Sequence, residues 1–209
     1  MRDNRKGIII ESILIEGIYM ELLLQILIGI GLSATCGFRV FVPLFVMGIA
    51  DISGYLTLGP GFEWIGSYPA VIIFGIATVI EIAAYFIPYV DNLLNTISIP
   101  VSIIAGVIVT ASVITDIDPM LQWTLAVIVG GGVATATSLL SNGTHNVSTI
   151  VSGGAANPVV SIVESAASVV TAVLAVVVPV LAFILLVLLI VLVIIALRRF
   201  KTRRKELIE

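Results

Sequence analysis

Long apolar runs, each ended by Pro, Gly, Asp or a basic cluster, set the pattern of this chain. The first extends from Glu21 to about Ala50, about thirty residues and longer than a bilayer needs at ~1.5 Å per residue. Gly31, Ser33, Thr35, Cys36, Gly37 and Arg39 interrupt its middle and Pro43 follows, which predicts a helix broken at membrane depth. A second run opens at Pro69, a first-turn position that suits proline, and closes at Pro88. The third runs from Pro100 to Thr115 and is short unless it reaches back into residues 89–99; the fourth covers Met120 to Leu140 and carries Gly130, Gly131 and Gly132. The fifth is Pro158 to Val178, and the sixth is Val180 to Leu197. Apolar stretches of 18 or more residues are long enough to cross a hydrocarbon core of ~30 Å. The predicted fold class is all-α, a polytopic transmembrane helix bundle of six spans with broken or re-entrant segments.

Composition supports this reading. Hydrophobic residues make up 59% of the chain and charged ones 11%, against about 25% charged in soluble domains. A soluble fold could not bury that much apolar surface. Charge placement then bears on topology. Arg2, Arg5 and Lys6 precede the first run, Arg39 stands alone, and the remaining basic residues fall between Arg198 and Lys205. Basic residues beside the outermost spans mark the cytoplasmic side. The expectation is a multi-pass protein of the inner or plasma membrane with both termini cytoplasmic, which an even number of crossings satisfies. Residues 51–68, with Trp64 and Tyr68 as interface aromatics, and the turn from Asp116 to Pro119 would then lie outside. Residues 1–19 are either an interfacial helix or precede a start at Met20, residues 20–197 form the membrane domain, and residues 198–209 a basic tail. Cys36 is the only cysteine and reads as apolar filler, which excludes an internal disulfide framework.

Arg39, Glu81 and Glu164 stand out chemically, because an ionisable group inside a span costs about 2.5–3.5 kcal/mol on the insertion scale. Such groups persist when paired or when a watered cavity reaches them. One cation and two carboxylates would leave one carboxylate without a fixed partner, able to bind a cation or carry a proton. The competing reading is an ion pair that only fixes helix positions. Glu81 and Glu164 each precede small residues, Ala83-Ala84 and Ala166-Ala167, in the middle helix of a half. That similarity fits a 3+3 inverted repeat, the arrangement of many transporters, although apolar helices also repeat such strings by chance. Ser33 and Thr35 at the first break, and Asn157 at the end of the polar stretch 141–157, would complete a site if that stretch dips into the bilayer. Otherwise it is a solvated cytoplasmic loop.

The remaining polar features are weaker. His145 has no Cys, Asp or Glu cluster at ligand spacing, so it reads as a loop histidine and no metal is expected. Asp91, Asn92 and Asn95 form a secondary polar cluster at an inner helix end, suited to capping or to a headgroup. No phosphate-cradling loop, nucleophile elbow or dinucleotide fingerprint occurs, so neither an enzyme nor a cofactor is indicated. The expected partners are the lipid bilayer, a small solute or ion and further copies of the chain, and nucleic acid is not among them.

The strings from Gly31 to Pro43, Gly61 to Pro69 and Glu81 to Leu94, and Gly153-Gly-Ala-Ala-Asn-Pro158 with Glu164, together resemble a prokaryotic membrane family. That family is catalogued as domain of unknown function 4126. The resemblance covers about residues 24–180 and implies a multi-span inner-membrane protein, with no established activity or catalytic residue. Where the family suggests a basic residue between Ser138 and Thr149 this sequence has no Lys or Arg, which speaks against an anion-binding role there. The function expected is a small transporter or channel for an ion, small solute or lipid-linked carrier, working through Arg39, Glu81, Glu164 and the two breaks. The alternative is a non-transporting membrane scaffold or assembly factor.

Overall fold

The computed structural model describes residues 2–188 and 191, with side chains for all of these but residues 2–14, 88, 89, 91, 92 and 95. Every regular element among the described residues is helical, so the all-α class holds. The helices are α1 (Arg2–Cys36), α2 (Phe41–Ile52), α3 (Tyr68–Ala84), α4 (Pro88–Val113), α5 (Pro119–Leu125), α6 (Gly132–Ser152) and α7 (Asn157–Val177). A wide π turn, Ala126–Gly131, joins α5 to α6. A short apolar helix, α8 (Pro179–Leu188), follows.

Ile15–Cys36, Thr96–Val113, Pro119–Ser152 and Asn157–Val177 are long and apolar enough to cross a membrane, while α2, α3 and α8 are apolar but shorter. Outward-facing apolar side chains recur along the bundle, among them Ile72, Ile76 and Val79 on α3 and Val159, Val163 and Val170 on α7. Apolar faces of this extent belong against lipid. The chain is an integral membrane protein.

The first apolar run departs from the single broken crossing that hydropathy suggests. Gln25 of α1 donates from Nε2 to Thr115 Oγ1 (2.8 Å), and its Oε1 accepts from the Thr115 N–H (2.9 Å). Gln25 is therefore held beside the Asp116 turn. After the elbow at residues 37–40 the chain returns to that same end. Ser112 Oγ donates to Met47 Sδ (3.2 Å), and the Gly59 N–H donates to the Ser112 carbonyl (2.8 Å). The lower half of α1 and all of α2 thus form a helical hairpin that enters and leaves at one end of the bundle, the loop end. Cys36 lies roughly 16 Å along the helix from Gln25, about half the thickness of a hydrocarbon core. As a consequence the N-terminal side of α1, the loop at 53–67 and the Asp116 turn share one end, whereas the sequence reading placed the N-terminus opposite the other two.

The polar stretch departs from both readings that its composition allows. Residues 141–152 are neither a re-entrant nor a solvated loop but the second half of α6, which ends at Gly153 and Gly154 with φ of 64° and 88°. Two of their hydroxyls sit against their own helix: Ser152 donates to the Ser148 carbonyl, and Thr144 Oγ1 lies beside that of Ser141, both at 2.7 Å. In lipid a helix satisfies every backbone group internally, which overrides the turn preference that Ser, Asn and Gly show in water. The third run reaches back to Pro88, with Pro100 inside α4. Asp91 and Asn92 consequently lie within α4 and cannot cap it, and their side chains and that of Asn95 are outside the described part. The predicted 1–19 extension is continuous with α1 from Arg2 onward. The end of the sixth run and the basic tail fall outside the described residues.

Glycine permits the closest helix contacts. A Cβ on Gly106 of α4 would stand 2.7 Å from the Gly130 carbonyl and 2.6 Å from Ala134 Cβ, so α4 and the π turn touch backbone to backbone. Leu32, Met47, Ile65 and Val109 fill the interior around the hairpin.

Candidate functional site

At the elbow the C-terminus of α1 and the N-terminus of α2 meet inside the bundle, and both leave backbone groups without helical partners. The α1 end resolves this through Thr35, whose carbonyl accepts from the Phe38 N–H (3.0 Å) and the Arg39 N–H (2.9 Å). The α2 end has no capping side chain of its own at Val40. Glu81 supplies the cap from α3: the Val40 N–H donates to Oε1 (2.7 Å) and the Phe41 N–H to Oε2 (3.1 Å). A carboxylate on a helix N-terminus and a guanidinium just past a helix C-terminus also match the two macrodipoles. Glu81 therefore has a partner in backbone amides, which the charge count alone does not reveal.

Arg39 is fully buried, at 0% exposure. Its Nε donates to Ser165 Oγ (3.0 Å), Nη1 to the Phe38 carbonyl (2.9 Å), and Nη2 to both the carbonyl (3.0 Å) and the hydroxyl (2.6 Å) of Ser161. The Tyr85 ring lies against one face of the guanidinium, 3.9 Å from Cζ to centroid. Glu164 Oε2 stands 3.8 Å from Nη1. That carboxylate also meets His145 Nε2 at 3.1 Å and accepts from Thr144 Oγ1 at 3.1 Å. The rings of Tyr85 and His145 are 5.7 Å apart, which closes the group around Arg39. Arg39, Glu164, His145 and Tyr85 thus form one buried cluster drawn from the elbow, α7, α6 and the end of α3.

Arg39 and Glu164 meet as the sequence predicts. Glu81 adjoins them through the elbow backbone. Ser33 and Thr35 are buried, but their hydroxyls donate back to Ile30 (3.1 Å) and Leu32 (2.7 Å) of their own helix, so Thr35 contributes its carbonyl. Asn157 opens α7 one turn before Ser161, and its Nδ2 donates to Thr149 Oγ1 (2.9 Å), tying α7 to α6. His145, Tyr85, Ser161 and Ser165 were not anticipated. Helical spacing could have pointed to them: Ser161, Ser165 and Ser168 recur at i, i+4 and i+7 beside Glu164, and Tyr85 follows Glu81 by one turn. His145 is helical and buried, contrary to the loop reading.

Among the described residues, hollows flank the hairpin on two sides. One of about 170 Å³ lies between α2 and the end of α7. The other, about 380 Å³, is a crevice between α6 and α7 whose lining includes Phe38, Leu140, Thr144, Val163 and Glu164. Glu81 is absent from both linings. Among the described residues no group of three His, Cys, Asp or Glu side chains could hold a metal ion.

Capping by Glu81 predicts a graded loss. Glu81→Ala removes both acceptors and is expected to cost about 1–2 kcal/mol, the upper range for a lost helix cap. Glu81→Gln keeps one acceptor and should fall between that variant and the parent. Unfolding midpoints of the purified chain in mixed micelles rank the three; equal midpoints for Ala and Gln would contradict the cap.

Fold and site together define an integral membrane helix bundle built around a broken helical hairpin with a buried charge cluster at its elbow. The chain belongs to the family described as domain of unknown function (DUF4126), which it matches over residues 26–199, in agreement with the motifs read from its sequence. No curated protein and no solved structure matches it.

Proposed function

We propose that this protein is a small transporter that moves a solute or ion by way of the elbow cluster, with Glu164 and His145 as its proton-holding pair. One observation carries the reading: a fully buried Arg39 shares a carboxylate with a histidine at the junction of two half-helices. Broken helices whose ends face ionised groups at membrane depth are a recurring way to build a transport site. His145 and Glu164, in direct hydrogen-bond contact, can together hold one proton or two. The direction of the elements favours a 3+3 inverted repeat as well. α3 runs from the loop end toward the elbow and α7 from the elbow region toward the loop end, each delivering a glutamate. Arg2, Arg5 and Lys6 precede the loop end along α1, so the positive-inside rule favours a cytoplasmic loop end in an inner or plasma membrane.

Reconstitution into liposomes with a panel of cations, anions and a pH-sensitive dye is the test. The expected result is a flux coupled to internal pH that Glu164→Gln abolishes while the variant remains folded. Absence of flux for every species removes the reading. Four of the five Arg39 N–H donors are taken by protein acceptors, which favours a scaffold as the second reading. Retention of a co-purifying partner by the chain, lost when Gly132 is enlarged, would support it.

A further inference from the structure

We propose that the crevice between α6 and α7 is a lateral binding site for a single-chain lipid alcohol, whose hydroxyl donates to Glu164. This rests on the transport reading, for it names a bilayer ligand that would regulate the elbow cluster by occupying Glu164. At about 380 Å³ the crevice lies within the ordinary size range of ligand sites, about 300–1,000 Å³. Its walls are apolar, formed by Phe38, Leu140, Val159, Val160, Val163 and Ala167. Val159 and Val163 are more than half exposed, so the opening faces sideways into lipid. A ligand therefore enters from the bilayer and brings an apolar chain.

The polar end of the crevice restricts the head. Glu164 lines it at 8% exposure, so only a small part of the carboxylate is reachable. An ionised carboxylate accepts and cannot donate, and each oxygen has room for two donors. Among the described residues Oε1 accepts only from Thr144. An anionic head would face the Glu164 carboxylate, and the Ser141 and Thr144 hydroxyls that also line the crevice carry no charge to offset that repulsion. A cationic head would compete with Arg39, already 3.8 Å from the same carboxylate. A phosphate-bearing headgroup is too large for so small a polar spot. A neutral hydroxyl fits all three restrictions. Phe38 connects the site to the elbow, because it lines the crevice while its carbonyl accepts from Arg39 Nη1 (2.9 Å).

The test uses the full chain in detergent with a photoreactive hexadecanol bearing a mid-chain diazirine, followed by peptide mapping of the labelled protein. Labelling is expected on α6 and α7 around Leu140 and Val163. Unlabelled hexadecanol should compete about tenfold better than hexadecane, the discrimination that one hydrogen bond to a charged group supplies. Val163→Trp fills the mouth of the crevice from an exposed position and should abolish labelling. Val170→Trp, on the same helix but outside the crevice lining, should leave it intact. Equal competition by the alkane, or labelling unmoved by Val163→Trp, overturns the alcohol site. A flux that persists without crevice labelling removes this proposal alone, and crevice labelling in a chain that carries no flux removes the transport reading alone.

Discussion

Arg39→Ala is expected to leave a chain that no longer yields a stable bundle. The substitution strands the Glu164 carboxylate beside His145, takes the guanidinium donors from the Ser161 hydroxyl and from Ser165, and removes the cation from the C-terminal side of α1, all in a region closed to solvent. Breaking a buried pair by deleting one partner typically costs about 3–5 kcal/mol, because the surviving charge is left uncompensated. The recovery of monodisperse protein from detergent extracts and the unfolding midpoint in mixed micelles should both fall. Arg39→Lys retains the charge but cannot supply the planar fork that reaches Ser165 and Ser161 together, so it should restore less than half of the loss. The double variant Arg39→Met/Glu164→Leu separates stability from transport. Replacing both charges by apolar side chains of similar size is often neutral for folding, so this protein should regain most of its stability and still carry no flux. Parent-like stability in Arg39→Ala would show that the cluster does not hold the elbow.

The charges were legible in the sequence because lipid makes them conspicuous. Arg39, Glu81 and Glu164 each interrupt an apolar run, and the break that surrounds Arg39 falls where Gly37 and its polar neighbours put it. What hydropathy does not encode is direction. A run from Glu21 to Ala50 reads the same whether the chain passes through the membrane or turns back at the elbow. The return of α2 is fixed by contacts far apart in sequence, such as Gln25 with Thr115 and Met47 with Ser112. The role of Glu81 was hidden for a related reason: its partners are the amides of Val40 and Phe41, and backbone groups carry no sequence signature. His145 was obscured by the company it keeps. Ser141, Asn142, Gly143 and Thr144 form turns in water, but beside α4 and α7 they complete a helix, with Ser98 Oγ donating to Asn142 Oδ1 (3.1 Å).

These corrections sharpen the functional question. The sequence suggested one carboxylate without a fixed partner, whereas both glutamates prove to be held, one by a helix terminus and one by Arg39, His145 and Thr144. A cluster with every charge engaged can act only if its parts move, and the break in the backbone beside it is the elbow, where no continuous helix crosses from α1 to α2. Ligand or proton binding at Glu164 would weaken its hold on Arg39 and so loosen the residue that pins the elbow to α7.

The position where such motion is most sharply constrained is Gly37. A Cβ there would collide with the Thr137 hydroxyl and stand 2.6 Å from the Ser138 backbone nitrogen. The hydroxyl can rotate away, but the backbone of α6 cannot, so Gly37→Ala is expected to push the elbow off α6 at a cost of about 1–3 kcal/mol, the usual range for overpacking a filled core. Thr137→Ala should rescue the variant only in part, since the clash with Ser138 remains. Gly132→Ala is the matched control. No atom outside its own helix lies within 4 Å of the Cβ it would add, and the change should be neutral or stabilise by up to about 1 kcal/mol through helix propensity. If flux is present, Gly37→Ala should reduce it more than its stability deficit explains, because a displaced elbow carries Arg39 away from Ser161 and Ser165 while α7 keeps Glu164 in place. Equal unfolding midpoints for Gly37→Ala and Gly132→Ala would mean that the elbow yields without resistance, and the close packing of α1 against α6 could then not be what sets the geometry of the cluster.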